Sequence, residues 1–411
     1  EFAHENPVGP DDRWMGTHVV NTAMGVKAPA VRFRRTGDAG DRAAAATALD
    51  TLDAFHGQAG GRFSGDEHLA GHDPTRGTEL CAVVEEMYSL ETLVATLGEV
   101  RFADRLEALA FNALPAAFTA DMSAHQYDQQ ANQVLSNVAE RPWSNGPDAN
   151  TFGLEPNYGC CTANLHQGWP KLATRAWMRA DDGLAATSYV PTAVTADVGG
   201  QEVRVVVETD YPFADTVALR VETAAPAAFA LHLRIPGWCE SADLDLPGET
   251  RAPDGGQFHR VEREWADGDT VTLDLGAPLE AERRYRGAVA LARGPLVFSL
   301  PVAAEFQQYG GEAPFEDWEL YPAEQWAYGL AVDTDSPAGE LVRRAPGEVP
   351  FSPDAPPVEL EVEGAPVEGW GLAGNDAGPV PASPTAGGER ESLTLVPYGC
   401  TNLRVTEFPL L

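Results

Sequence analysis

The spacing of apolar residues along the chain changes near residue 185. Before that point, apolar positions recur every three to four residues, as they do along amphipathic helices. The predicted helices cover residues 17–35, 42–56, 79–97, 101–114 and 161–179. Asp41 is the expected N-cap of the second of them. Amphipathic helices of similar length in succession are typical of an α/α-toroid or another helical array.

Local residues predict where several of these helices begin, bend and end. Thr78 is the expected N-cap of the third helix, which places Glu79 and Cys81 in its first turn. The first turn of a helix favours negative charge, so a thiolate at Cys81 is well placed there. Pro115 is predicted to end the fourth helix, and Pro170 is predicted to kink the last one.

From about residue 185 apolar positions alternate with polar ones, which is the period of a β-strand. The predicted strands cover residues 203–208, 217–221, 230–235, 271–275, 289–292, 393–397 and 403–405. Turn residues separate many of these runs at intervals typical of a β-sandwich. Residues 333–390 are rich in Pro, Gly, Ala and Glu, and they are predicted to be partly irregular.

Charge excludes some classes of partner. The 411-residue chain has a formal net charge of −34, and Lys27 and Lys171 are its only lysines. Such a surface repels nucleic acid and anionic membranes, so neither is expected as a partner. Adaptation to salt and simple solubility both explain the acidity. The chain opens at Glu1 and not at Met, so we expect its natural N-terminus to be missing.

Five cysteines in a chain of this length do not form a disulfide framework. Cys160 and Cys161 are adjacent, and adjacent cysteines rarely bridge each other because the ring is strained. Metal ligation or catalysis in a reducing compartment is the better interpretation, which places the protein in the cytoplasm. Cys239 and Cys400 lie in strand-rich sequence and are interpreted as small buried apolar residues.

Two short segments supply four candidate metal ligands. Glu79 and Cys81 lie two residues apart, and the pair Cys160 and Cys161 follows about 80 residues later. A tetrahedral zinc site needs four such ligands, and three thiolates select zinc over hard cations. The alternative is that the cysteines are simply buried and that Glu79 is a carboxylate at the start of a helix.

A metal-bound thiolate stays deprotonated, so one of the sulfur ligands can also serve as a nucleophile. Such a nucleophile needs a general acid, and Glu67 in the Gly-rich loop before Glu79 is the candidate. The alternative for Glu67 is a solvated loop carboxylate. The polar stretch 123–156 is too long for a passive turn and is predicted to be a site loop, with Tyr127 as a substrate-binding candidate.

Three segments around these residues carry a family resemblance. They are Phe63-Ser64-Gly65-Asp66-Glu67-His68, Thr78-Glu79-Leu80-Cys81 and Tyr158-Gly159-Cys160-Cys161-Thr162-Ala163-Asn164. They resemble the active-site segments of glycoside hydrolase family 127, the β-L-arabinofuranosidase family. Further similar stretches are Gly16-Thr17-His18-Val19-Val20-Asn21, Arg234-Ile235-Pro236-Gly237-Trp238 and Ala292-Arg293-Gly294-Pro295-Leu296-Val297.

The resemblance implies an (α/α)6-barrel with β-sandwich domains, one zinc ion (Zn2+) and a retaining mechanism. The zinc ligands that it implies are Glu79, Cys81, Cys160 and Cys161. It also makes Cys160 the nucleophile and Glu67 the acid/base, while His18 matches a sugar-contacting histidine. A thiolate here replaces the carboxylate nucleophile of ordinary retaining enzymes.

The expected fold class is therefore an α + β multidomain protein. Residues 1–184 would be the C-terminal part of the barrel, 185–300 a β-sandwich domain, and 301–411 a second small β-rich domain. We expect roughly the first half of the barrel to be absent, either as a missing N-terminal segment or completed by another copy in a homo-oligomer. Leu80, between the first two ligands, and the short loop after Glu67 indicate a divergent subgroup.

The expected function is a zinc-dependent retaining glycoside hydrolase. Its substrate would be an oligosaccharide or plant-type glycan, from which it releases β-L-arabinofuranose or a related sugar. The alternative is a non-catalytic carbohydrate-binding or structural protein in which zinc only holds the helices together. A third possible function is that of a redox-responsive zinc-thiolate protein.

Overall fold

Helices of 3 to 18 residues, separated by non-helical segments, make up most of the first part of the chain. The computed structural model describes residues 18–411. Its α-helices are α1 (Val19–Gly25), α2 (Ala28–Thr36), α3 (Ala39–His56), α4 (Leu80–Leu97), α5 (Val100–Ala108), α6 (Leu114–Ala116), α7 (Cys160–Leu165) and α8 (Gly168–Arg175). A π-helical turn, Leu109–Ala113, joins α5 to α6. The polar, Pro- and Gly-containing stretch 1–16, for which the sequence predicts a loop, lies outside the described residues.

Two helix starts differ from the prediction. Asp38 caps α3 by accepting hydrogen bonds from the N–H groups of Gly40 and Asp41. Asp41 itself is buried and pairs with Arg32 at 3.0 Å, so its prediction as the N-cap is wrong. The placement of Glu79 in a first helical turn is also wrong, because this residue ends a β-strand and α4 begins one residue later.

Two prolines act differently from the prediction. Pro115 does not end a helix: the widened π-turn precedes it, and α6 continues to Ala116. The last predicted helix is instead split into α7 and α8, and it starts at Cys160 rather than Cys161. Pro170 lies in the first turn of α8, where a missing N–H is tolerated, so it produces no kink there.

The strands of the first half are β1 (Gly77–Glu79), β2 (Asp128–Gln130), β3 (Trp177–Ala180), β4 (Gly183–Ala186), β5 (Thr192–Val198), β6 (Gln201–Thr209), β7 (Thr216–Thr223), β8 (Ala227–Ile235), β9 (Asp243–Leu246), β10 (Glu249–Arg251), β11 (Gln257–Trp265) and β12 (Thr270–Asp274). Those of the second half are β13 (Leu279–Arg283), β14 (Val289–Arg293), β15 (Leu296–Val302), β16 (Ala304–Glu312), β17 (Phe315–Pro322), β18 (Tyr328–Leu330), β19 (Glu340–Arg343), β20 (Val358–Pro366), β21 (Leu372–Ala373), β22 (Asp376–Ala377), β23 (Glu391–Pro397) and β24 (Leu403–Val405).

One of two compact units comprises Leu90–Glu107 and Trp169–Pro278. It contains a six-stranded sheet in the order β10-β9-β12-β7-β6-β5 and a four-stranded sheet in the order β11-β8-β4-β3. Along β6, Val203, Val205 and Val207 are buried and alternate with more exposed residues. A sheet that buries one face in this way is typical of a β-sandwich layer.

A buried ion-pair network stabilises this first unit. Arg234 of β8 is buried and contacts the carboxylates of Asp104 and Glu107, both on α5. The Tyr211 hydroxyl donates a hydrogen bond to Glu107, and the Tyr189 hydroxyl donates one to the carbonyl oxygen of Arg234 at 2.7 Å. The guanidinium charge is therefore neutralised inside the unit.

The other unit comprises the described residues up to Ser89 together with Ala108–Gly168 and Leu279–Leu411. Its main sheet runs β13-β14-β15-β23-β20-β18, with β19 on β20 and β24 on β15. Two separate hairpins, β16–β17 and β21–β22, extend from this region. The first of them pairs with the polar stretch after α6 through bridges at Ser136–Leu320 and Phe152–Trp318.

The predicted strands are confirmed, because each predicted run coincides with β6, β7, β8, β12, β14, β23 or β24. The segment predicted to be irregular contains the nine-residue β20, whose buried Val358, Leu360 and Val362 alternate with glutamates. The α + β class with several sheets is confirmed, but the number of helices in residues 18–411 does not confirm an (α/α)6-barrel. The three-domain division stays a prediction.

Within residues 18–411, no helix combines the length and the apolar character needed to cross a membrane.

Candidate metal and active site

The β1–β2 ribbon positions the first part of the site. Gly77 of β1 lies against Trp143, and a Cβ on this glycine would come within 2.1 Å of the tryptophan ring. At the other end of β1, the N–H of Glu79 donates a hydrogen bond to the carbonyl oxygen of Gly65 at 3.0 Å. This bond holds the segment that carries Glu67 beside the strand.

Hydrogen bonds around α7 bring its two cysteines to the start of α4. The Nδ2 atom of Asn164 donates to the sulfur of Cys81 at 3.1 Å. The hydroxyl of Thr162 lies 2.9 Å from Nε2 of His125 and donates to the carbonyl oxygen of Leu154 at 2.8 Å. The long polar segment therefore anchors α7 against the residues that precede it.

The four predicted metal ligands converge at this point. The ligand atoms of Glu79, Cys81, Cys160 and Cys161 all lie within 4.8 Å of one another. The sulfur atoms of Cys81 and Cys161 are 3.3 Å apart, and the sulfur of Cys160 lies 3.8 Å from Oε1 of Glu79. Cys160 is exposed, whereas the other three residues are buried.

Burial disfavours the anionic forms of Glu79 and Cys161. Burial, together with the charges of Cys81, Asp66 and Cys160, raises the pKa of Glu79 to about 10. Burial also raises the pKa of the Cys161 thiol well above its usual range. The hydrogen bond from Cys161 lowers the pKa of Cys160 to about 6. A divalent cation reverses this preference and deprotonates coordinating thiols.

The residues fit a zinc ion. Oε2 of Glu79 is buried and has no hydrogen-bond partner within the described residues, so a cation would satisfy an atom that is otherwise left unpaired. Thiolates at about 2.3 Å from zinc in a tetrahedron lie about 3.8 Å from each other. The sulfurs of Cys81 and Cys161 would need to separate by only about 0.5 Å to reach that spacing. Three sulfur donors favour zinc over magnesium or calcium.

The structure places His18 and Glu67 next to this group. Nδ1 of His18 accepts a hydrogen bond from the N–H of Val20 at 3.1 Å, so in the neutral ring the proton is on Nε2. That Nε2 lies 3.8 Å from Oε1 of Glu67 and 3.8 Å from Oε2 of Glu79. The side chain of Glu67 is 43% exposed, so substrate can reach it from solvent.

Tyr127 is buried in the same region. Its hydroxyl donates a hydrogen bond to Oδ1 of Asp66 at 3.3 Å, and its ring meets the exposed ring of Tyr158 edge-on at 6.0 Å. Burial raises the pKa of Tyr127 above its usual value, so the hydroxyl stays a hydrogen-bond donor. The structure thus brings this predicted substrate-binding residue to the segment of Glu67.

Sequence reasoning missed three polar residues at the site: Asp66, Asp128 and Asn145. Burial raises the pKa of Asp66 to about 6 and that of Asp128 well above its usual range. Oδ2 of Asp66 accepts the backbone N–H of Asn145 at 2.8 Å. Two of the three lie next to predicted residues, since Asp66 precedes Glu67 and Asp128 follows Tyr127. Asn145 lies within the stretch 123–156 that the sequence predicts to be a site loop, but no pattern distinguishes it from its neighbours there.

Two family profiles match the chain. The profile described as "Beta-L-arabinofuranosidase, GH127 catalytic domain" matches residues 6–174, and "Beta-L-arabinofuranosidase, GH127 middle domain" matches residues 183–277. Together they cover more than half of the sequence. The chain belongs to glycoside hydrolase family 127 (GH127). No curated protein sequence matches it.

Solved structures with a similar fold include a GH127 beta-L-arabinofuranosidase from Geobacillus stearothermophilus T6. It is 22% identical with a TM-score of 0.72, covering 95% of this chain and 59% of that chain. A protein described as "Glycoside hydrolase" is 17% identical with a TM-score of 0.71, covering 100% of this chain and 67% of that one. Another GH127 beta-arabinofuranosidase is 17% identical with a TM-score of 0.66, covering 96% of this chain and 60% of that chain. This GH127 chain thus spans 59–67% of the length of these structures. At these low sequence identities, the similarity shows a shared fold.

Proposed function

We propose that this GH127 chain is a zinc-dependent retaining glycoside hydrolase that releases β-L-arabinofuranose or a related sugar from plant-type glycans. The exposure of Cys160 carries the proposal. Four protein ligands fill a tetrahedral zinc site and leave no open position for water, so a nucleophile at such a site has to be one of the ligands. Here three ligand residues are buried, and the fourth presents its sulfur where a substrate can approach.

Glu79, Cys81 and Cys161 would hold the ion together with Cys160. A bound zinc ion supplies electrostatic stabilisation of the thiolate form of Cys160. Because the two neighbouring thiols are buried, Cys160 is the ligand that can act as a nucleophile.

The chain's own residues would then carry out two displacements. In the first, the sulfur of Cys160 bonds to the anomeric carbon while the bond from that carbon to the leaving oxygen breaks, and Glu67 gives its proton to that oxygen. In the second, Glu67 takes a proton from water, the water oxygen bonds to the anomeric carbon, and the carbon–sulfur bond breaks to restore the thiolate. Two displacements retain the anomeric configuration.

His18 and Tyr127 would bind the sugar. Nε2 of His18, 3.8 Å from the Glu67 carboxylate, is placed to donate a hydrogen bond to a sugar hydroxyl beside the acid/base. The same proposal makes the helices part of an (α/α)6-barrel. It also keeps the cytoplasm as the location, since none of the five cysteines, which lie within the described residues, forms a disulfide.

Hydrolysis of 4-nitrophenyl β-L-arabinofuranoside tests the function. We expect the unmodified chain to hydrolyse it and Cys160→Ser to lose turnover while its circular dichroism spectrum and melting temperature stay close to those of the parent. Cys239→Ala, at a buried cysteine in the other unit, is the matched control and should keep its activity. A non-catalytic zinc protein would show no hydrolysis at all, and substitution of any ligand would lower its melting temperature.

Glu67→Gln tests the acid/base role. General acid catalysis contributes about 10²–10⁴-fold, so the loss should be large for an alkyl glycoside, whose leaving group needs a proton. It should be smaller for the 4-nitrophenyl glycoside, whose leaving group departs as an anion. Equal losses for both substrates would count against this role.

A further inference from the structure

Residues 139–147 form a closed loop next to the site. The N–H of Ala139 donates a hydrogen bond to the carbonyl oxygen of Pro147 at 2.7 Å, which joins the two ends of the loop. Within it, the N–H of Ser144 donates to the carbonyl oxygen of Arg141 at 3.1 Å. The loop is therefore a defined unit, and a group that holds one side of it also fixes the other.

One side of the loop touches the catalytic segment. The side-chain Nδ2 of Asn145 donates to Oε1 of Glu67 at 3.2 Å, and its backbone N–H donates to Asp66 at 2.8 Å. Trp143 is buried and lies over Gly77 of β1. Asn145 is thus a direct hydrogen-bond donor to the proposed acid/base.

The other side of the loop is held by hairpin β21–β22. Nε of Arg141 donates to Oδ1 of Asp376 at 2.9 Å, and its Nη2 donates to the carbonyl oxygen of Asn375 at 3.0 Å. Arg141 also donates from Nη2 to Oδ1 of Asn137 at 2.9 Å. Its side chain is only 2% exposed, so the charge is neutralised by the hairpin rather than by water. A buried charge that loses its partner is strongly unfavourable.

The hairpin comes from a part of the chain that neither GH127 profile matches, since both end before residue 279. We propose that hairpin β21–β22 sets the position of the Glu67 carboxylate for proton transfer, acting through Arg141, loop 139–147 and Asn145. Asp376, Arg141 and Asn145 are then positioning residues. The inference rests on the proposed function, in which Glu67 is the acid/base.

The physical reason is the short range of proton transfer. A general acid must lie within hydrogen-bond reach of the leaving oxygen, and displacements of about 1 Å lower rates about a hundredfold. Without its carboxylate partner the buried guanidinium of Arg141 is uncompensated, and a shift of Arg141 would displace loop 139–147, to which it belongs. Asn145 would then no longer hold Glu67.

Asp376→Asn tests the link, because the amide removes the charge and keeps the shape. Its oxygen can still accept the hydrogen bond that Gln130 donates to Asp376 at 2.8 Å. We expect kcat/KM for a methyl β-L-arabinofuranoside to fall about tenfold or more, while kcat/KM for the 4-nitrophenyl glycoside changes less than about threefold. General damage to the site would lower both values by the same factor.

Glu359→Gln is the matched control. This carboxylate pairs with Arg344 at 2.7 Å in the same C-terminal region, and its side chain is 20% exposed, against 18% for Asp376. Both rates should stay at the parent values. Asn145→Ala removes the contact with Glu67, together with the side-chain hydrogen bonds to Tyr127 and from Asn157, so it should reproduce the leaving-group split of Asp376→Asn.

Hydrogen–deuterium exchange separates this inference from the proposed function. Amide exchange in residues 137–147 should speed up in Asp376→Asn and remain unchanged in Glu359→Gln. If the parent hydrolyses neither glycoside, the proposed function fails, and the exchange result still decides whether the hairpin holds the loop. Unchanged exchange in Asp376→Asn, or equal rate losses for both substrates, would overturn the inference.

Discussion

The sulfur atoms of Cys81 and Cys161 lie 3.3 Å apart although the two residues are separated by 80 positions in the sequence. Asn164 contacts the first of them from α7, the helix that contains the second. Because two buried thiols at this distance repel each other as thiolates, they need either protons or a shared cation. If zinc binds as proposed, it therefore contributes to the stability of this part of the unit.

Elemental analysis of the protein purified under reducing conditions should find about one zinc ion per chain. Removal of the ion by a chelator should lower the melting temperature, since a ligand at 1,000 times its Kd stabilises a fold by about 4 kcal/mol. Cys81→Ser should bind less zinc and show the lower melting temperature without chelator. A well-folded chain that contains no zinc and does not respond to chelator would refute the site.

Gly65→Ala should destabilise the site segment. Gly65 has φ +156°, and an added Cβ would meet the carbonyl oxygen of His68 at 2.8 Å. We expect a loss of about 1–3 kcal/mol in the free energy of unfolding, together with lower activity because Glu67 follows two residues later. Gly25→Ala, where a Cβ meets nothing within 4 Å, is the control. Urea unfolding curves measure both, and equal midpoints would contradict the prediction.

Glu91 should make the protein less stable as the pH rises. Burial raises its pKa from 4.5 to about 7, although the charge of Arg175 acts in the opposite direction. A carboxyl group whose pKa is higher in the folded state binds more protons there, so its contribution to stability falls between about pH 4.5 and 7. Glu91→Gln should therefore stabilise the protein at pH 8, by about 3 kcal/mol at most, and change little at pH 4.5. If the free energies of unfolding of variant and parent differ by the same amount at both pH values, titration of Glu91 is not the cause.

Arg234→Met should be strongly destabilising. Removal of the guanidinium leaves Glu107 buried without its charge partner, which costs about 3–5 kcal/mol. Adding Glu107→Gln should recover part of the loss, because the uncompensated charge is then gone. Arg220→Met breaks a partly exposed pair with Glu222 and should change the free energy of unfolding little, because solvent screens that pair. Denaturant unfolding compares the three, and a small loss in Arg234→Met would show that the network is not essential.

Much of the fold could be predicted because the relevant pattern is local. Strands such as β6 and β7 show their alternation within a few residues, and tertiary pairing only confirms it. The failures occur where distant contacts decide. Glu79 reads as the start of a helix, yet pairing of β1 with β2 makes it the end of a strand. In β20 the alternating Val358 and Leu360 are surrounded by Pro and Gly, which concealed the strand.

The same distinction between local patterns and distant contacts applies to the residues of the site. The convergence of Glu79, Cys81, Cys160 and Cys161 could be predicted because their two segments combine four residues of the oxygen and sulfur donor types that zinc accepts. The contact of Asn145 with Glu67 and the pairing of Arg141 with Asp376 could not, since these residues are separated by 78 and 235 positions. Their side chains are of common types and carry no pattern of their own.

The different exposure of the thiols has a practical consequence. Cys160 is exposed, and Cys81, Cys161, Cys239 and Cys400 are buried. A thiol-alkylating reagent should therefore consume one equivalent rapidly and the other four only on unfolding. The amplitude of the rapid phase would count intact sites in any preparation. Alkylation of Cys160 thus measures the concentration of intact sites, and reaction rates can be expressed per intact site.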